Sequence, residues 1–96
     1  MNKYELAIAL SVKIEDDERA ALLDKAKGYI ERFGGQITDV KEWGKYRMAY
    51  EVNHMKEAFY YFVEFDANPT APAEIENRIR IMENVVRFLI VRADEA

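Results

Sequence analysis

The chain reads as an α+β domain in which a four-stranded antiparallel sheet carries two helices on one face. Three observations predict this. Four segments are rich in strand-forming residues, the first of them strictly alternating, two others carry helical spacing, and their order is β-α-β-β-α-β. Right-handed crossovers turn that order into one sheet with the first and third strands central, and they leave its second face uncovered.

Residues 3–10 place Tyr4, Leu6, Ile8 and Leu10 on one side of a first strand. The first helix runs from Asp16 to Phe33, with Leu23, Ala26, Ile30 and Phe33 along its buried stripe. Its acidic start, Glu15-Asp16-Asp17-Glu18, suits the positive end of the helix macrodipole. Gly34-Gly35 ends it, because glycine accepts the left-handed conformation of a helix terminus. A long second strand spans 36–52. The parity of its apolar positions slips between Ile37 and Val40, which predicts a bulge, and Gly44 predicts a second irregularity.

Asn53 to Glu57 reads as a polar turn, so strands two and three form a hairpin. Strand three is the aromatic run Phe59-Tyr60-Tyr61-Phe62-Val63-Glu64-Phe65. The stretch from Ala67 to Thr70 breaks the sheet and starts the second helix, in which Ile75, Ile79 and Met82 face inward and Pro72 sits in the first turn. Glu83-Asn84 leads into the last strand, residues 85–92, and 93–96 form a loose tail. The whole chain, 1–96, is one domain.

Composition narrows the function. The chain has no cysteine, which removes disulfides, thiol nucleophiles and thiolate metal sites and fits a reducing cytoplasm. No apolar stretch approaches the roughly 20 residues that span a bilayer, and the N-terminus lacks a signal-peptide layout. His54 is the only histidine and falls in the predicted hairpin turn, and Ser11 is the only serine. Neither has partners for acid–base or nucleophilic work. Gly34-Gly35 follows a helix instead of opening one, so it is no phosphate loop. The chain is expected to be neither an enzyme nor a binder of a small-molecule substrate, metal or cofactor.

The uncovered face is the place to look for function, since contiguous exposed aromatic surface marks contact sites. Parity puts Glu5, Ala7 and Ala9 of strand one there, with Tyr60, Phe62 and Glu64 of strand three and Arg87, Leu89 and Val91 of strand four. Lys41, Glu42, Lys45, Tyr46 and Arg47 crowd strand two. They either blunt an exposed edge or complement a partner of mixed charge. Arg80 on the second helix, Arg87 and Arg92 in the last strand, and Lys3 nearby are candidate phosphate contacts. The net charge of −4 argues against strong nucleic-acid binding by this chain alone. Three readings compete: a protein partner on the open sheet, an RNA-recognition-like module stacking single-stranded RNA on Tyr60 and Phe62, and a small-ligand domain.

Four stretches in register resemble the bacterial small-subunit ribosomal protein S-six family: Lys3-Tyr4-Glu5, Gly44 to Tyr50, the aromatic strand, and Arg80 to Val91. The resemblance implies a ferredoxin-like βαββαβ domain and a structural place in the cytoplasmic ribosome. There the family pairs with the small basic ribosomal protein S-eighteen as a heterodimer, and the two bind the central domain of small-subunit ribosomal RNA. It implies Lys41, Glu42, Lys45, Tyr46 and Arg47 as partner contacts and Arg87 as an RNA-side position. The open-face rings Tyr60 and Phe62 join the first set by their own placement, and Lys3, Arg80 and Arg92 join the second by their charge.

Overall fold

The structure, a computed structural model, describes residues 1–52 and 55–93. Its elements are β1 (Asn2–Ser11), α1 (Asp16–Arg32), β2 (Gln36–Val52), β3 (Met55–Ala67), α2 (Ala71–Ile79) and β4 (Val85–Arg92). The sheet order is β2-β3-β1-β4, with every neighbouring pair antiparallel. β1 and β3 are therefore central, as the crossovers require.

One face of the sheet and both helices share the main core. Leu6, Ile8 and Leu10 of β1 and Val63 and Phe65 of β3 pack against Leu23, Ala26 and Ile30 of α1 and Ile75 and Ile79 of α2. Fully burying each large apolar side chain stabilises the fold by about 1.5–3 kcal/mol. This packing is what holds α2, whose nine residues are fewer than an isolated helix needs in water.

The end of α1 explains its two glycines. Gly35 N–H donates to the Ile30 carbonyl (2.9 Å) and Gly34 N–H to that of Glu31 (3.0 Å), closing the helix in a Schellman arrangement. Gly34 sits at φ +86°, and a Cβ on Gly35 would lie 2.8 Å from the Ile30 carbonyl oxygen. Phe33 is the C-cap, half-buried at the margin of the core stripe instead of continuing it.

Three further boundaries differ from the sequence reading. Met55, Lys56 and Glu57 belong to β3 and not to a turn, and Asn53 and His54 lie outside the described residues. Met82 is buried but follows α2, its N–H donating to the Ile79 carbonyl in the exit turn. Arg80 is the C-cap of α2. Ala93, assigned to the tail, donates its N–H to the Lys3 carbonyl at 2.9 Å; residues 94–96 lie outside the described residues.

The second face of the sheet is bare in its middle and closed at one end. A smaller core of Ala9, Met48 and Ala58 lies there, with Met55, Tyr60 and Val86 packed against it. β2 and β4 are the outermost strands, about 14 Å apart across two intervening strands, and Tyr50 stands six residues, about 20 Å, beyond Gly44, the β2 residue in register with Arg87. Arg87 nonetheless lies 5.7 Å from the Tyr50 ring, a contact that requires the distal β2–β3 hairpin arm to bend back over the sheet. The expectation of a wholly uncovered face is corrected to that extent.

Candidate partner and nucleic-acid interface

Pairing register sorts the open face into rows. One row reads Asp39, Glu64, Glu5, Val91 from β2 to β4; the next reads Lys41, Phe62, Ala7, Leu89; a third reads Gly44, Tyr60, Ala9, Arg87. Along the sheet β2 keeps step with β3 by carrying one extra residue at each of two bulges, Thr38 between Ile37 and Asp39 and Trp43 between Glu42 and Gly44, and the register shifts again between Arg47 and Val52. Gly44 takes φ +91°, a conformation open to glycine and strained for other residues.

The extra residue at the second bulge redirects a ring. Trp43 packs 4.8 Å from Phe62 and 6.0 Å from Tyr46, and Tyr46 lies 6.3 Å from Tyr60. The four rings form one aromatic cluster on the open face. Trp43 (56% exposed), Tyr46 (49%) and Leu89 (58%) remain open to solvent, and Tyr50 and Val91 are exposed as well. Most of the large exposed apolar side chains among the described residues therefore share this face.

The proposed partner residues do not all join the cluster. Lys41 and Tyr46 point to the open face with Tyr60 and Phe62. Glu42, Lys45 and Arg47 pair with Tyr61, Phe59 and Glu57 and point to the helix side. There Glu42 lines a cleft of about 360 Å³ with Asp16, Arg19 and Phe59. The proposed RNA residues are dispersed. Arg87 lies on the open face near the bent arm, while Lys3 lies at the opposite end of β1, where Arg92 donates to Asn2 Oδ1 at 3.2 Å. Arg92 pairs with Tyr4 and so shares the helix-side parity, and Arg80 is exposed just past α2.

Sequence reading missed Trp43 and Tyr50 as parts of this surface. Gly44 beside Trp43 was the available signal, since a bulge carries its extra side chain out of the regular alternation.

A sheet braced by helices on one side and displaying aromatic rings on the other defines an interaction module. The described residues hold no group of three or more His, Cys, Asp or Glu placed to bind a metal ion, and none of their helices is long and apolar enough to cross a membrane. A model of the family Ribosomal protein S6 matches residues 3–92. The chain is 41% identical over 95 residues to small ribosomal subunit protein bS6 of Alkaliphilus oremlandii, covering 99% of this chain and 100% of the relative. It is 40% identical over 91 residues to bS6 of Clostridium beijerinckii, covering 95% and 96%. Its backbone is similar to the crystal structure of 30S ribosomal protein S6 from Thermotoga maritima, with a TM-score of 0.90 and 26% identity over 95% of this chain and 86% of that one. The chain belongs to the ribosomal protein S6 family, ferredoxin-like structural proteins of the small ribosomal subunit and not a family of enzymes.

Proposed function

We propose that this chain binds the central domain of small-subunit ribosomal RNA as a heterodimer with the small basic protein S-eighteen, in the cytoplasmic ribosome. The observation that carries the proposal is an exposed aromatic face on a family member whose net charge is −4. An acidic chain gains little from phosphate neutralisation by itself. A basic partner seated on the open face supplies that charge and covers the rings. Lys41, Tyr46, Tyr60 and Phe62 are the partner contacts this arrangement favours, with Glu42, Lys45 and Arg47 reachable only by a partner that wraps the β2 edge. Lys3, Arg80, Arg87 and Arg92 are the proposed RNA contacts, spread around the rim.

The test is a titration of central-domain RNA with this chain, with the partner, and with both. The expected result is weak binding by the chain alone and tight, steeply salt-dependent binding by the pair. Equal binding with and without the partner overturns the proposal.

Stacking of single-stranded RNA by the free chain is the less supported reading. The rings contact one another, and β1 contributes only the small Ala7 and Ala9 where a stacking platform needs a further aromatic. Replacing Tyr60 and Phe62 by alanine should cost about 1–3 kcal/mol per base contact if that reading holds. Unchanged affinity of the free chain for single-stranded RNA removes it.

A further inference from the structure

The middle of the open face holds a trough of about 270 Å³. Its floor is Ala7 and Ala9 of β1, and its walls are Tyr60 and Phe62 on one side and Arg87 and Leu89 on the other. Two alanines on a central strand between bulky neighbours leave a gap that the chain itself does not fill.

Beside the trough lies the row Asp39, Glu64, Glu5, three carboxylates on three adjacent strands, with Asp66 one pair further on. Like charges directly opposite one another on a sheet are destabilising. Lys41 compensates two of them, its Nζ 3.8 Å from Glu64 and 4.0 Å from Asp39. Glu5 has no ion-pair partner among the described residues. Lys3, two positions before it on the same face, does not offset the row. The carboxylate row itself therefore suits a cationic protein side chain better than a phosphate.

We infer that the trough and the carboxylate row form one two-part socket for a segment of a basic protein. An apolar side chain of the partner fills the Ala7/Ala9 gap, and a lysine or arginine lies against Glu5 and Glu64. Adjacent rows are two residues apart along β1, about 7 Å, so the partner presents its apolar and cationic groups at that separation. The inference rests on the proposed pairing with a basic protein and assigns the residues that recognise it.

The experiment measures the affinity of purified S-eighteen for the full chain and for two variants, with circular dichroism and thermal melting confirming their folds. Ala7→Phe fills the trough from within. The pair Glu5→Gln and Glu64→Gln keeps shape and removes charge. Ala7→Phe should weaken binding about tenfold, and the glutamine pair should weaken it similarly while flattening its salt dependence. Affinity unchanged in both variants overturns the socket and leaves the pairing standing. Absence of binding by the unaltered chain overturns both. Partner affinity unchanged while RNA affinity of the free chain shifts assigns the face to RNA and overturns the socket alone.

Discussion

Arg19 sits on α1 among charged residues, yet it is only 6% exposed. Its guanidinium lies 3.7 Å from the Phe59 ring centroid, and it donates to the Ile14 carbonyl and to Asp16. Arginine can do this because its planar cation stacks on an aromatic face while its edge keeps hydrogen bonding. Helical spacing puts Arg19 on the buried stripe, four residues before Leu23, but the sequence does not show what a guanidinium would meet there, because the ring that receives it arrives from β3, forty residues later. The stack fixes the start of α1 over the sheet. Arg19→Ala should lower stability by about 2 kcal/mol, and Arg19→Lys should recover only part of that, since an ammonium lacks the planar fork. Urea unfolding of both variants checks this; equal stability of the lysine variant and the parent would show that charge alone suffices.

At the scale of elements, legibility in the sequence follows how regularly each strand alternates. β1 alternates cleanly, and β4, an apolar run between Arg87 and Arg92, keeps register with it over those residues, so Tyr4, Leu6, Ile8 and Leu10 fell on the buried side and Arg87, Leu89 and Val91 on the open side as expected. β2 runs over its expected bounds, and two of its three register shifts, at Ile37/Asp39 and Glu42/Gly44 but not at Arg47/Val52, were visible. The phase of its side chains beyond them was not. One extra residue at Trp43 decides that Tyr46 faces outward while Lys45 and Arg47 turn to the helices, and neighbouring strands alone define that count. The bent arm was also hidden, because curvature is a long-range property and Met48 reads as one apolar residue among several. Met48 is the buried anchor that latches the arm to Ala9 and Ala58. Met48→Ala should cost about 2 kcal/mol, the lower end for a core methionine, because this small cluster can partly collapse. Hydrogen exchange should then speed up at residues 45–50 and 55–58 while the amides of β1 facing α1 stay protected; uniform loss of protection would mean the arm is not a separable unit.

For the whole molecule, acidic and basic side chains are segregated along the open face and around its rim. The open face is acidic at one end and carries Arg87 at the other, whereas Arg80 stands beyond α2, away from the trough. The family was legible because four stretches lie in register along nearly the full chain, but the grouping of its cations was not, since it depends on which strand ends the topology brings together. An RNA contact made by scattered rim cations is additive and non-specific in sequence, each releasing about 0.9 counterion per phosphate neutralised on a duplex. Arg80 isolates one such contribution, because its side chain is exposed and does not line the proposed socket. In the proposed complex of this chain with a basic partner and central-domain RNA, Arg80→Ala should reduce the slope of log affinity against log salt by about 1. The partner's affinity for the chain without RNA should stay unchanged. A slope that does not move, measured by filter binding across a salt series, would place Arg80 outside the RNA contact and leave the chain's own share of phosphate binding to Arg87, at the rim where the bent arm meets β4, and to Lys3 and Arg92 at the opposite end of the sheet.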